Sequence, residues 1–178
     1  MDTKVSVWKA NLNSGIIIGL LGVVVSLLFY FLDLTLENWV AAIWFPIYIV
    51  ALFLAIRSYR VNFLKGFMTY GQSLGAGVII VLYYAIISSV FAFILYSYID
   101  PGLLEKMMAA AEQRLTDRGM AEGMIEQSLQ FQEKIMVPWV MAISSLVNSM
   151  IMGTIIVLVL SIFTRKEGNP LIDDSIEE

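Results

Sequence analysis

Four long stretches of this chain contain no charged residue at all: Ala10 to Leu32, Asn38 to Ile56, Gly66 to Ile99 and Ile135 to Thr164. A charge at mid-bilayer costs roughly 2.5 to 3.5 kcal/mol on insertion scales, so uninterrupted apolar runs are what a membrane selects. Each stretch reaches the roughly 17 to 25 residues with which a helix crosses about 30 Å of hydrocarbon at about 1.5 Å per residue. Composition agrees, with 59% hydrophobic and 15% charged residues, against about half and a quarter in a soluble domain. The expected fold is an all-α membrane protein of four transmembrane helices in an antiparallel bundle. Spans are expected near residues 12–33, 38–56, 73–98 and 136–163.

The third stretch would be about 51 Å long as one helix. Two crossings and a turn do not fit it, and Gly71, Gly75 and Gly77 cluster near its start. The span is therefore expected from Ser73 to Tyr98, with Gly66 to Gln72 along the interface. The first stretch follows Lys4 and Lys9 as a secretory signal would, but it ends Leu-Phe-Tyr-Phe-Leu-Asp without a small-x-small site; retention as an anchor is expected.

Charge placement sets the orientation, because cytoplasmic loops keep Lys and Arg. Lys4, Lys9, Arg57, Arg60, Lys65, Arg165 and Lys166 fall on one face, which is expected to be cytoplasmic together with both termini. Asp33, Glu37 and the acid-rich segment Asp100 to Lys134 fall on the other. The net charge of −4 thus reflects topology, and no nucleic-acid partner is expected. Trp8, Trp39, Trp139, Tyr59, Tyr96 and Tyr98 sit near span ends, where amphipathic rings favour the headgroup layer; Trp44 does not.

Lipid leaves no water to expel from between spans, so small residues that let backbones approach mark the contacts. Gly15, Gly19, Gly22 and Ser26 form one such stripe on the first span, and Ala142, Ser145, Ser149 and Gly153 repeat it on the fourth. These faces serve either packing within the bundle or an oligomer interface. Asn148 stands beside the second stripe, suited to an interhelical hydrogen bond or, less simply, to a polar path. Pro46 cannot donate to the carbonyl of Ala42, so a bend is expected there.

Between the third and fourth spans, Asp100-Pro101 reads as a helix start with Asp as cap and Pro in the first turn. Leu104, Met108, Ala111 and Leu115 share a face until Arg118-Gly119 supplies a C-terminal stop. A second seam, from Met124 and Ile125 through Leu129 and Phe131 to Met136, runs on toward the fourth span, where Pro138 is positioned to kink it. Residues 101–135 are expected to form an extracytoplasmic helical hairpin, with Leu104, Met107, Met108, Met124 and Phe131 as partner-binding candidates or as its own packing seam. Residues 165–178 are expected to be a flexible acidic cytoplasmic tail.

The absence of His and Cys removes imidazole acid/base schemes, thiol nucleophiles, disulfides and the familiar zinc and haem sites. No catalytic residue, cofactor or metal is expected. Glu105 with Glu112 and Glu122 with Glu126 lie on exposed faces, where acids mostly serve solvation. An enzyme acting on lipid-linked substrates would have to use Asp33, Glu37 or Asp100 with a metal. The simpler reading is a scaffold or accessory subunit whose partners are the bilayer and a second copy or another membrane protein. The alternative is a small oligomeric transporter or channel using Asn148, Gln72 and the Pro46 bend.

The order of parts resembles a known family. The chain joins a glycine-rich first span, the segment Phe67-Met-Thr-Tyr-Gly-Gln72, a long third span, Ile99-Asp-Pro-Gly-Leu-Leu-Glu-Lys106 and Gly119-Met-Ala-Glu before a Met/Glu/Gln-rich helix and a final small-residue span. This arrangement is similar to the four-helix membrane proteins of domain-of-unknown-function family 4199, over roughly Lys9 to Thr164. Ala121 and Gly123 depart from the expected Ser or Thr cap and unbroken second outer helix. The resemblance implies a Bacteroidota inner membrane, no established activity, and an accessory role in envelope assembly.

Overall fold

A computed structural model describes residues 6–167, the side chains of Asn38 and Ala41 excepted. Of the acidic tail expected over residues 165–178, residues 168–178 lie outside the described residues, as does the N-terminal Lys4. Six α-helices follow in order: α1 Val7–Phe31, α2 Asn38–Phe63, α3 Tyr70–Ile94, α4 Leu103–Asp117, α5 Glu122–Ile135 and α6 Pro138–Thr164. Among the described residues there is no strand, only an isolated bridge between Met68 and Lys166.

Local chemistry explains where the helices begin and end. α1 stops where Asp33 takes a positive φ of 55° and Leu34 N–H donates to Phe29 O at 2.9 Å. α2 passes through Pro46 and continues beyond Ile56, carrying Arg57 and Arg60 on its last turns. It ends at a turn in which Lys65 and Gly66 have φ of 51° and 89°, the second of which favours glycine. Thr69 then caps α3 reciprocally: Gln72 N–H donates to Thr69 Oγ1 at 3.3 Å and Thr69 N–H donates to Gln72 Oε1 at 2.9 Å. Two orphan donors of the first turn are thereby satisfied. Tyr70 to Gln72, expected along the interface, instead form the first turn of the third long helix.

At its far end α3 loosens into one π-helical turn, Leu95–Ile99, closed by Asp100 N–H donating to Leu95 O at 2.8 Å. Asp100 does not cap α4. That helix starts at Leu103 after Gly102, without a side-chain cap, because the Asp100 carboxylate is held by Lys106 at 3.1 Å and by Tyr30 at 3.3 Å. Gly119, at φ 70°, ends the α4 region in the left-handed conformation. Pro138 does not kink a continuous α5–α6 rod. The chain leaves the helix at Met136 and Val137, and Pro138 opens α6, where its missing N–H costs nothing.

α3 is the central helix, packed against α1 and α6, while α2 touches all three more lightly. Ser73–Thr164, Gly77–Val157, Val81–Gly153 and Ser89–Ala142 join α3 to α6 along most of their length. Gly15–Tyr83 and Gly19–Ile87 join it to α1. Tyr48, Leu52 and Ile56 of α2 close the core over Ile80, Val81 and Val157. Arg60 Nη1 donates to Thr164 O at 2.8 Å, and Met68 and Lys166 exchange two backbone hydrogen bonds of 2.8 Å, so the α2–α3 connection is fastened to the end of α6.

Only 22–28% of the most apolar window of each of the four long helices is buried within the protein. Leu20, Leu28, Val90, Ile155 and Phe163 point outward. An apolar surface of that extent is far larger than soluble monomers present to water. The four helices, α1, α2, α3 with its π-turn, and α6, are long and apolar enough to cross a membrane, and hydrocarbon is the solvent that suits their outer faces.

Candidate functional site

The small-residue stripes separate into two kinds of surface. A methyl group added at Gly15 would come within 2.5 Å of Tyr83 Cβ, and one at Gly19 within 2.6 Å of Ile87 Cδ1. These two glycines are in tight contact with α3 and buried. One helical turn further on, Gly22 and Ser26 line a cavity of about 300 Å³ instead, facing Ser145 and Ser149 of α6, Tyr84, Ser88 and Tyr96 of the third span, and Trp44 of α2. Ser145 and Ser149 are half-buried and Ser26 is exposed.

A second cavity of about 230 Å³ shares Trp44, Tyr84 and Ser149 with the first and adds Phe45, Tyr48, Asn148, Met152, Gly153 and Ile156. The first is bordered by all four spans and the second by α2, α3 and α6. Trp44 stacks on Tyr48 with centroids 6.2 Å apart, and Tyr48 meets Tyr84 at 4.7 Å, so an aromatic ladder forms the shared wall. The reason Trp44 escapes the interfacial pattern is now evident: it is a cleft residue. Gly153 is buried, and a methyl group there would reach Val81 Cγ1 at 2.5 Å and Tyr48 Oη at 3.0 Å. Glycine at 153 thus creates the room that seats Tyr48.

Two side chains that border the second cavity have an unpartnered polar group, although the Tyr48 hydroxyl itself is shielded from the open space. Tyr48 is 6% exposed, and its hydroxyl makes no hydrogen bond. Asn148 lies exposed on the cavity side and makes no side-chain hydrogen bond among the described residues; the expected interhelical bond is not formed. No residue lining either cavity is charged. The cleft can therefore donate and accept hydrogen bonds but offers no carboxylate, guanidinium or ammonium as a counter-ion. Among the described residues no three of His, Cys, Asp and Glu gather as metal ligands.

The partner-binding candidates lie on α4 and α5, which pack on each other. Leu104 is buried at the base of α4, and Met107 and Met108 are half-buried. Met107 borders a depression shared with Leu36 and Glu37, where Arg114 Nη2 donates to Leu36 O at 2.6 Å. Met124 and Phe131 are 59% and 65% exposed on α5. Between the two helices runs a groove with Met108, Met120, Ile125 and Leu129 on its floor and Glu112, Glu122, Glu126 and Glu133 along its edges. At the root of α4, the hydrogen bond from Lys106 holds the Asp100 carboxyl below the usual carboxylate range, and Asp100 in turn holds the Lys106 ammonium above the usual lysine range.

Sequence reasoning missed Tyr48 and Tyr84 as cleft residues and Ser73, Ser161 and Thr164 as a buried hydroxyl cluster. Ser161 and Thr164 are spaced three apart at the end of α6 and Ser73 opens α3, so the cluster had a signal in the spacing. The tyrosines had none, since mid-span aromatic residues look like core.

Apolar helices of bilayer length with outward hydrophobic faces define a multi-pass helical membrane protein. A family model described as protein of unknown function (DUF4199) matches residues 13–166. The chain belongs to that family. No curated protein and no solved structure matches it.

Proposed function

We propose that the protein is a non-enzymatic accessory or scaffold subunit of an envelope-associated complex in a Bacteroidota inner membrane. It holds a partner membrane protein through its outer helices. The observation that carries this reading is the α4–α5 surface: a groove with an apolar floor, edged by four glutamates. Its charge complements a basic amphipathic segment of the partner.

The same reading arranges the spans up and down, with both termini cytoplasmic and α4–α5 as an outer hairpin. Support comes from the contacts of the connections. Arg114 reaches the α1–α2 connection and Tyr30 reaches Asp100, while Arg60 and Met68 reach the opposite end at Thr164 and Lys166. The cationic residues Arg57, Arg60, Lys65, Arg165 and Lys166 then share the cytoplasmic face.

The test places a photo-crosslinking residue at Gln130, on the edge of the groove, in native membranes. One adduct with a defined membrane protein, whose crosslinked segment is cationic and which is lost in Glu122→Lys/Glu126→Lys, is expected. Adducts with lipid alone, or a protein adduct indifferent to the charge reversal, would overturn the proposal. Transport is the second reading, favoured by the polar cleft. Proteoliposome flux abolished by Asn148→Leu would support it, and flux unchanged by that variant would remove the cleft as a path.

A further inference from the structure

A second apolar face on α5 is left over once the groove is assigned. At about 100° per residue, Met124, Phe131 and Ile135 fall within about 20° of one line along that helix, and Glu122, Glu126 and Glu133 fall within about 20° of the line opposite. All three apolar residues are exposed. A helix with one bare apolar face and its carboxylates on the far side is built to lie in a membrane surface.

The contacts of the outer helices keep them at the level where the spans end. The α1–α2 connection, residues 32–37, joins two spans and so sits at the membrane surface. Tyr30, at the end of α1, reaches Asp100 at the root of α4 at 3.3 Å. About 16 Å past the first residue of α4, at about 1.5 Å per residue, Arg114 still reaches Leu36 O of that connection, at 2.6 Å. α4 therefore runs across the span ends instead of standing away from them. α5 packs on α4, and Met136, just past its last residue, borders the same depression as Leu36, Met107 and Ala110.

The outward stripe of α6 continues the patch. Trp139, Ile143, Val147 and Ile151 are all exposed and follow one another at four-residue intervals, and Ile135 precedes Trp139 at the same interval. Between them, Met136 and Val137 leave the helix, which frees α5 from the axis of α6. An unbroken rod would carry Phe131 and Met124 straight away from the bilayer.

We infer that α5 lies along the membrane surface, with Met124, Phe131 and Ile135 set into the leaflet that Trp139 enters and its glutamates turned to water. The occupant of this face is lipid. The patch is continuous with the bilayer-facing side of α6, and the charge nearest its flank is Lys134, a long cation that reaches lipid phosphates while its stem stays on apolar surface. The depth expected for such a helix is about 5 to 10 Å into the boundary between headgroups and acyl chains.

The inference is independent of the partner-docking proposal, because it uses the face away from the groove's glutamates and is tested on the protein alone. The chain has no cysteine, so a nitroxide on Met124→Cys, Phe131→Cys, Glu122→Cys or Glu126→Cys is a single reporter in the full-length protein. All four side chains are exposed, so the substitutions remove no buried packing. Each variant is reconstituted into vesicles of phosphatidylcholine and phosphatidylglycerol, and collisions are measured with oxygen, which concentrates in hydrocarbon, and with a water-soluble nickel chelate. The ratio of oxygen to chelate collisions should be severalfold higher at positions 124 and 131 than at 122 and 126. An equal ratio at all four positions would overturn the inference by placing the face in water. Protection of 124 and 131 from both reagents would overturn it by placing a second copy of the protein there.

Discussion

Ser73 Oγ lies 2.6 Å from Thr164 Oγ1 and 3.2 Å from Ser161 Oγ, and all three residues are buried where α3 begins and α6 ends. Ser73 Oγ donates to Ser161 Oγ, Thr164 Oγ1 also donates to Leu160 O at 2.9 Å, and either hydroxyl can donate across the contact between Ser73 and Thr164. Just outside the trio, Arg60 donates to Thr164 O at 2.8 Å. A chain of polar contacts therefore locks three helices together at one end of the spans.

Ser73→Ala removes one hydroxyl of the trio and leaves two behind. Side-chain hydrogen bonds between membrane helices average about 0.6 kcal/mol and reach about 1.7. The dry, closed position of this one puts the expected loss toward the upper figure. Unfolding in mixed micelles measures it. Ser73→Ala and Thr164→Val should each destabilise, and the double variant should lose less than both together, because the two residues share one bond.

Glycines offer a comparison between packed and open helix faces. Gly15 and Gly153 touch Tyr83 and Val81 so closely that an added methyl must displace them, whereas Gly71 and Gly75 have nothing within 4 Å. Gly15→Ala and Gly153→Ala should cost about 1 to 3 kcal/mol from overpacking. Gly71→Ala and Gly75→Ala should be neutral or stabilising by up to about 1 kcal/mol, from helix propensity. The same micelle titration checks all four, and a destabilising Gly75→Ala would mean that a further chain occupies that face.

How much of this was legible in the sequence depends on which interaction fixed each feature. The spans follow from one-dimensional information, since runs free of charge and glycine or proline punctuation are local. Even so, α2 overshoots Ile56 because Arg57 and Arg60 lie at the membrane edge, where long cations reach outward and helix geometry carries on. The Asp100 cap was misread because Lys106 and Tyr30 compete for its carboxylate, and the second of these is brought in by the fold. The stripes at Gly15 and Gly22 look alike as spacing. Only the neighbours distinguish them: Tyr83 Cβ at 2.5 Å from a methyl at Gly15, but the looser Tyr84 ring at 3.1 Å and Trp44 at 3.5 Å, beside a cavity, at Gly22.

Arg114 tethers α4 to the α1–α2 connection through one bond to Leu36 O. Few other contacts join the outer helices to the spans, so losing that bond should free them locally without unfolding the bundle. Arg114→Met keeps the length and removes the donors. Amide hydrogen exchange in α4 should quicken about fivefold or more, as loss of about 1 kcal/mol implies, while α3 and α6 remain protected. Equal quickening throughout would place the bond in the global fold instead.

The ion pair at the root of α4 gives the outer helices a pH dependence whose sign can be worked out. Asp100 is held below the usual carboxylate range, first by the hydrogen bond from Lys106 and, among smaller causes, by Tyr30. Its stabilisation is therefore fully present above the unfolded carboxylate pKa and is lost as pH falls through the lowered folded value. Lys106 is held above its usual range by the same pair. Its contribution is complete below the unfolded lysine pKa and disappears as pH rises through the raised value. Attachment of α4 should thus be firmest across the neutral range and weaken at both extremes. Hydrogen exchange at Leu103 to Met107, followed against pH after correction for intrinsic rates, reports it. Asp100→Asn and Lys106→Met should each remove most of both the acidic and the alkaline weakening, because each group is the main cause of the other's shift, and each should leave exchange faster at neutral pH. Tyr30→Phe, which deletes the longer bond, should shift the acidic limb only slightly upward.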